Sequence, residues 1–213
     1  SHSGNTEETL SAFDAAVAGN CRVLAVTTGG ELAQKAEQAN AALWQFTHQG
    51  QPRAAVGYSF ALLLAASSRL GLVPDPSPEI KDVVTALREQ QKDLRGHIPI
   101  PQNPAKRLAG QLVGRWVSIF GEGLMAPVAR RWKGQINELA KAWAQFEALP
   151  EADHNTLAGV VNPEDALLKT MALFLRSPTN HQRNQLRVEL TKKNFMLEGL
   201  NTDFVDAKGD SRL

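Results

Sequence analysis

Two hydrophobic patterns alternate along this chain, and the alternation constrains its fold more than any other feature of the sequence. Short apolar runs predict buried strands, and they occupy residues 21–26, 41–46, 116–120, 142–147 and 167–175, with one more strand beginning at 195–197. Apolar residues at helical spacing predict helices, at residues 6–18, 31–38, 51–70, 80–94, 124–139 and 180–193, with a further helix opened by Pro104. Such alternation is typical of parallel sheets with helices on both faces, so the sequence predicts an α/β fold.

Two proline-rich segments, residues 72–78 and 98–104, interrupt this pattern. We therefore predict a first α/β unit at residues 1–75, a connecting helix and linker at 76–103, and a second α/β unit at 104–213. The chain starts at Ser1, in what looks like a functional loop that a strand should precede. We accordingly expect the first unit to be truncated at its N-terminus.

Composition excludes several classes of function. The formal net charge of +1 gives no electrostatic reason to expect a nucleic acid or a membrane surface as a partner. No apolar stretch reaches the ~18 residues that a transmembrane helix needs, and no signal peptide is visible, so we expect a cytoplasmic protein. The single cysteine, Cys21, excludes an internal disulfide and a cysteine-based zinc cluster. No spacing of His, Asp and Glu indicates a metal site, and we predict none.

The first six residues combine hydroxyl groups with a glycine directly before a predicted helix. The hydroxyls of Ser1, Ser3 and Thr6 can converge on one anion, and Gly4 allows the backbone to approach it closely. The start of the helix adds amide groups and a favourable dipole. The same residue types are also ordinary turn and cap residues. Taken alone, this segment leaves a phosphate site and a simple helix cap both open.

Residues 1–9, SHSGNTEET, resemble the phosphate loop of the sugar isomerase (SIS) family. Further segments resemble one branch of it, the bifunctional phosphoglucose/phosphomannose isomerases; they read TTGGELAQKA, QPRAA, NPAKRLA, PVARRWKGQINELAKAWAQFEALPEADHN and SPTNHQR. The resemblance covers nearly the whole chain, in order, and includes both proline-rich breaks.

The resemblance implies a fold and a reaction. The fold is two SIS-type three-layer αβα units with flavodoxin-like parallel sheets, the second one truncated at its C-terminus. The reaction interconverts glucose 6-phosphate or mannose 6-phosphate with fructose 6-phosphate through an enediolate. It implies no cofactor, a sugar phosphate as the small-molecule partner, and a homodimer with shared active sites.

The resemblance also assigns roles to individual residues. It implies that the hydroxyls of Ser1, Ser3 and Thr6 bind the phosphate of the sugar. Arg53 in QPRAA is expected to stabilise the enediolate, and Glu138 in INELAK to move the proton between C1 and C2. His154 in DHN is expected to assist ring opening from the second subunit. The chemistry suits these residue types, since the reaction needs a carboxylate base, a fixed cation beside an anionic intermediate, and a group that both donates and accepts a proton.

Some family features are absent from this chain. A Gly-Gly-Ser-type loop is expected upstream of Ser1 and a lysine beyond Leu213, so activity of the chain alone is left open. The sequence reads NELAK around Glu138 where the family often reads NENAK. Residues 121–123 occupy the place of the phosphate loop in the second unit but lack its hydroxyls, and we expect no second phosphate site there. The alternative function is a non-catalytic SIS module that binds a sugar phosphate for regulation; such a module would not need Glu138 and His154.

Overall fold

A computed structural model describes residues 1–209 as alternating strands and helices, grouped in two units, the first at Ser1–Pro76 and the second from Ser77 onward. The elements of the first unit are, in order, α1 (Glu7–Ala18), β1 (Leu24–Thr27), α2 (Gly30–Gln38), β2 (Ala42–Gln45), a 3₁₀ turn (Pro52–Ala54) and α3 (Val56–Arg69). The strands β1 and β2 pair in parallel, with Val26 opposite Trp44. Phe13, Ala25 and Leu32, one from each of α1, β1 and α2, are buried together in its core.

The second unit contains a four-stranded sheet in the order β4-β3-β5-β6, and every neighbouring pair is parallel. Its elements are α4 (Ser77–Leu94), a 3₁₀ turn (Ile100–Gln102), α5 (Pro104–Leu112), β3 (Trp116–Glu122), α6 (Met125–Gln135), a π turn (Ile136–Ala140), β4 (Ala144–Leu149), α7 (Glu151–His154), a 3₁₀ turn (Thr156–Gly159), α8 (Glu164–Leu167), β5 (Thr170–Arg176), α9 (Gln182–Leu197) and β6 (Asn201–Asp206). The predicted α/β fold with parallel sheets is confirmed.

Neighbouring residues of a strand point to opposite sides of this sheet, and helices pack against the side chains on both faces. On one side Ile119 of β3 packs with Leu173 of β5 and with Ala129 of α6. On the other side Phe120 and Phe174 stack with ring centroids 4.7 Å apart, in the core that α9 covers. None of the helices within residues 1–209 combines the length and apolarity that a bilayer crossing requires.

The structure corrects several predicted boundaries, among them those near residues 167 and 195. The prediction of a strand that begins at residues 195–197 is wrong, because these residues form the last turn of α9. Phe195 shares a buried helical face with Val188 and Thr191, at helical spacing, so its burial reflects helix packing rather than a strand. The strand predicted at 167–175 begins only at Thr170, since Leu167 ends the short helix α8.

Candidate functional site

The first loop, residues 1–6, is anchored to the turn that follows β1. The backbone carbonyl of His2 accepts hydrogen bonds from the amide of Thr28 at 2.8 Å and from the hydroxyls of Thr28 and Thr27 at 2.8 and 3.1 Å. The amide of Leu32 donates to the carbonyl of Gly4 at 2.9 Å. The loop and the turn at residues 27–30 therefore form one hydrogen-bonded unit at the carboxyl edge of the β1–β2 sheet.

Two glycines allow these segments to approach each other so closely. Gly4 has φ of +75°, and a Cβ there would lie 1.9 Å from the carbonyl oxygen of Gly29. Gly30 has φ of +72°, and a Cβ there would lie 2.3 Å from the carbonyl oxygen of Ser3. Any larger residue at either position would force the two backbones apart. Its backbone would also have to adopt a left-handed conformation, which is unfavourable for residues that carry a Cβ.

The hydroxyl-bearing residues of the loop are exposed at the start of α1. The Ser1 hydroxyl accepts from the amide of Gly4 and the Ser3 hydroxyl from the amide of Asn5, both at 3.3 Å. Thr6 is the N-cap residue of α1, but within the described residues its hydroxyl makes no capping bond to the first turn. Capping alone therefore does not account for a threonine at this position.

Arg53 lies in the 3₁₀ turn Pro52–Ala54 and is half-buried. This turn follows β2, just as the turn at residues 27–30 follows β1. Because the two strands are parallel, both connections leave the same edge of the sheet. The structure thus brings Arg53 and the first loop to one edge of the first unit.

Glu138 and His154 belong to the second unit, where they flank strand β4. Glu138 is exposed in the π turn that precedes the strand, and His154 is exposed at the end of α7, which follows it. A strand of six residues separates its two ends by roughly 17 Å. Within one chain, these two residues therefore lie at opposite edges of the sheet and are not brought together.

Sequence reasoning missed a buried polar pair, Glu122 and Asn180. Glu122 is 1% exposed at the end of β3, and its carboxylate accepts a short hydrogen bond from the side-chain amide of Asn180, which follows β5. The same amide also donates to the backbone carbonyl of Glu122 at 3.3 Å. Burial raises the pKa of Glu122, and hydrogen bonds from Asn180 and Asn184 with the charge of Arg187 oppose that rise.

This pair occupies the place where α/β sheets commonly bind ligands. The chain runs from β3 to β4 on one side and then crosses to β5 on the other side of β3, so β3 and β5 flank the point at which the strand order reverses. The glycines around Glu122 in the sequence were the available signal. Its partner lies 58 residues further along, so the pairing has no local signature.

Among the described residues, no group of three or more His, Cys, Asp and Glu side chains is placed to hold a metal ion. The candidate site is the loop of residues 1–6 at the carboxyl edge of the first unit, with Arg53 at the same edge.

Curated relatives match the full length of this chain. A bifunctional phosphoglucose/phosphomannose isomerase from Caldicellulosiruptor bescii is 36% identical over 216 residues, which covers 100% of this chain and 63% of that protein. A protein of the same name from Aquifex aeolicus is 33% identical, covering 100% of this chain and 62% of its own length. The chain thus spans somewhat less than two thirds of the length of these relatives.

Solved structures share the fold. A glucose-6-phosphate isomerase like protein from Thermus thermophilus superposes with a TM-score of 0.60 at 22% identity, covering 94% of this chain and 69% of that one.

The sequence model of one protein family, the bacterial phospho-glucose isomerase C-terminal SIS domain, matches residues 101–213, more than half of the chain. The chain therefore belongs to the family of bacterial phosphoglucose isomerases with SIS domains, as the resemblance of its motifs predicted.

Proposed function

We propose that the protein containing this chain is an aldose–ketose isomerase that interconverts glucose 6-phosphate or mannose 6-phosphate with fructose 6-phosphate through an enediolate. The observation that carries the proposal is the loop of residues 1–6, held against the turn at 27–30 by the interlocked Gly4 and Gly30. Family membership and the names of the relatives support an isomerase of sugar phosphates. The proposed location is the cytoplasm.

The loop is suited to the phosphate of the sugar. The exposed hydroxyls of Ser1, Ser3 and Thr6 can donate to phosphate oxygens, and the start of α1 adds backbone amides and the positive end of the helix dipole. Because Gly4 fixes the backbone against the turn, the donors are held in place before the ligand arrives. A preorganised site loses less conformational entropy when it binds.

The proposed chemistry moves one carbon-bound proton. Glu138 removes the proton from C2 of the open-chain aldose, which leaves an enediolate; the O2 hydroxyl proton passes to O1, and Glu138 returns its proton to C1 to give the ketose. Arg53 stabilises the negative charge of the enediolate, and its guanidinium stays charged throughout. These roles come from the family resemblance; the exposure of Glu138 is compatible with access by a substrate.

Ring opening is assigned to His154 from a second subunit. In one chain, Glu138 and His154 lie at opposite ends of β4, roughly 17 Å apart along the strand. A single chain therefore does not offer both side chains to one reacting sugar carbon. This separation supports a homodimer in which each active site uses the histidine of the other subunit.

The alternative function is a regulatory module that binds a sugar phosphate without turning it over. An assay of the full-length protein separates the two. We expect it to convert each of glucose 6-phosphate and mannose 6-phosphate to fructose 6-phosphate at rates well above buffer. Calorimetric binding of fructose 6-phosphate without any conversion would contradict the isomerase and favour the regulatory module.

The role of Glu138 is tested by Glu138→Gln in the full-length protein. Glutamine keeps the size of the side chain but is too weak a base to accept the carbon-bound proton. We expect exchange of the C2 proton of glucose 6-phosphate with deuterated water to fall by about 10²- to 10⁴-fold, with fructose 6-phosphate affinity nearly unchanged. Undiminished exchange in this variant would remove Glu138 from the role of base.

A further inference from the structure

His2 and His48 are hydrogen-bonded to each other at the edge of the first unit that carries the loop. The Nε2 atom of His2 lies 3.0 Å from Nδ1 of His48, and both rings are half-buried. A neutral imidazole carries one donor nitrogen and one acceptor nitrogen, so either ring can be the donor. None of the catalytic or phosphate-binding roles proposed above uses either side chain.

Two further aromatic rings surround this pair. The ring of His2 meets those of Phe46 and His48 edge-on, with centroids 5.9 and 5.1 Å away. Tyr58 stacks on Phe46 at 5.0 Å and contacts His48 at 5.5 Å. The four rings join the first loop, the end of β2 and the start of α3. The hydrogen bond is therefore part-buried among aromatic rings, of which Tyr58 is 44% exposed, so water competes with it less than at an open surface.

The two histidines belong to segments that both carry proposed ligand-binding groups. His2 stands between Ser1 and Ser3, and its backbone carbonyl is already fixed by the turn after β1. His48 precedes Arg53 by five residues, in the connection between β2 and the 3₁₀ turn. Gly50 bends this connection over the His48 ring, since a Cβ there would lie 3.3 Å from Cε1.

We propose that the His2–His48 hydrogen bond is a positioning element that holds the first loop and the segment leading to Arg53 in one binding geometry. This inference rests on the proposed function, because the geometry matters only if the loop holds a phosphate. The rings act through the backbone of the loop and do not touch the substrate. Loss of this hydrogen bond weakens the binding of a sugar phosphate without removing any of the protein groups that contact it.

Two substitutions at position 48 distinguish the hydrogen bond from the packing of the ring. His48→Asn loses the ring but keeps an amide group near the position of Nδ1. His48→Leu keeps apolar bulk but loses the hydrogen bond. If the bond is what positions the loop, the asparagine variant behaves more like the parent; if ring packing is what matters, the leucine variant does. His97→Leu, at an exposed position of the second unit, is the matched control.

The first readout is hydrogen–deuterium exchange of the full-length protein without ligand. We expect His48→Leu to speed exchange in the peptide that covers residues 1–6, and His48→Asn and His97→Leu to leave it near the parent rate. Unchanged exchange in His48→Leu, or faster exchange in His48→Asn than in His48→Leu, overturns the proposal.

The second readout is calorimetric affinity for fructose 6-phosphate. The contribution of a single hydrogen bond predicts that affinity falls roughly three- to tenfold in His48→Leu and in His2→Leu, and the double variant should bind no more weakly than the weaker single variant. Full additivity of the two substitutions overturns the pairing. If the parent protein binds no fructose 6-phosphate, the proposed function fails and the role of the bond in binding fails with it, even where exchange shows that the bond holds the loop; if the parent binds but the variants do not follow the expected pattern, only the role of the bond fails.

Discussion

The carboxyl edges of the two sheets differ in what fills them. At the edge of the β1–β2 sheet, two backbones approach closely through Gly4 and Gly30, and the side chains that surround them carry exposed hydroxyls. At the edge of the four-stranded sheet, the buried side chains of Glu122 and Asn180 occupy the point where the strand order reverses. One edge is lined with donors, and the other is closed by a buried carboxylate that accepts a hydrogen bond from a side-chain amide.

This contrast explains why one fold yields a candidate anion site at one edge only. An anion needs hydrogen-bond donors and a favourable field, which the hydroxyls and the start of α1 provide. A buried carboxylate such as that of Glu122 repels an anion whenever it is ionised. The local chemistry of each edge, rather than the sheet itself, decides what can bind there.

The largest expected effect is that of Gly4→Ala. A methyl group would lie 1.9 Å from the carbonyl oxygen of Gly29, in a left-handed conformation, so the loop must leave the turn. We expect a loss of at least ~2 kcal/mol in the free energy of unfolding and no measurable binding of fructose 6-phosphate by calorimetry. Gly57→Ala is the matched control, since a Cβ at Gly57 in α3 meets nothing within 4 Å. Equal behaviour of the two variants would contradict the interlocked loop.

Removing the amide at the other edge should affect stability alone. Asn180→Ala leaves the buried carboxylate of Glu122 without its closest donor, and hydrogen bonds to charged groups contribute about 1.5–3 kcal/mol. We expect urea unfolding to show a loss of that size, with fructose 6-phosphate affinity close to that of the parent. A large loss of affinity in this variant would mean that the edge with Glu122 takes part in binding.

The smallest expected effect is the pH dependence of Glu122→Gln. Burial raises the pKa of Glu122 in the folded protein, so the folded state holds this proton more tightly than the unfolded state does. The parent therefore loses stability as the pH rises above about 4.5, the ordinary pKa of a glutamate, and the carboxyl ionises. Glutamine at this position does not titrate. We expect the stability of the variant relative to the parent to increase from acidic to neutral pH. Glu198→Gln, which removes an exposed carboxylate at the end of α9, controls for the change in net charge.

Thermal unfolding of the three proteins across this pH range checks the prediction. A relative stability of Glu122→Gln that stays constant or falls as the pH rises would contradict the account of the buried carboxyl. That result would also weaken the contrast between an edge lined with donors and an edge closed by a buried carboxylate.

Local patterns predicted most of the fold, because strand and helix periodicity is visible in neighbouring residues. The motif of residues 1–6 predicted where an anion could bind. The interlock of Gly4 with Gly29 and the pairing of Glu122 with Asn180 depend on residues 25 and 58 positions apart. Single-sequence patterns do not report such contacts. The boundary error at Phe195 has the same origin, since its burial belongs to a helix face packed on the sheet.

Local patterns placed the candidate catalytic residues more closely. The sequence predicted a helix through Glu138, and the structure confirms it, with a π-helical last turn at Ile136–Ala140. The strand predicted between Glu138 and His154 is found as β4, so their positions at opposite ends of a strand follow from local patterns.

The most direct test of the central claim is a crystal structure of the full-length protein with fructose 6-phosphate. We predict the phosphate within hydrogen-bonding distance of the hydroxyls of Ser1, Ser3 or Thr6, at the start of α1, with Glu122 and Asn180 still bonded to each other. A phosphate bound at the edge with Glu122, or one found only away from residues 1–6, would contradict the account.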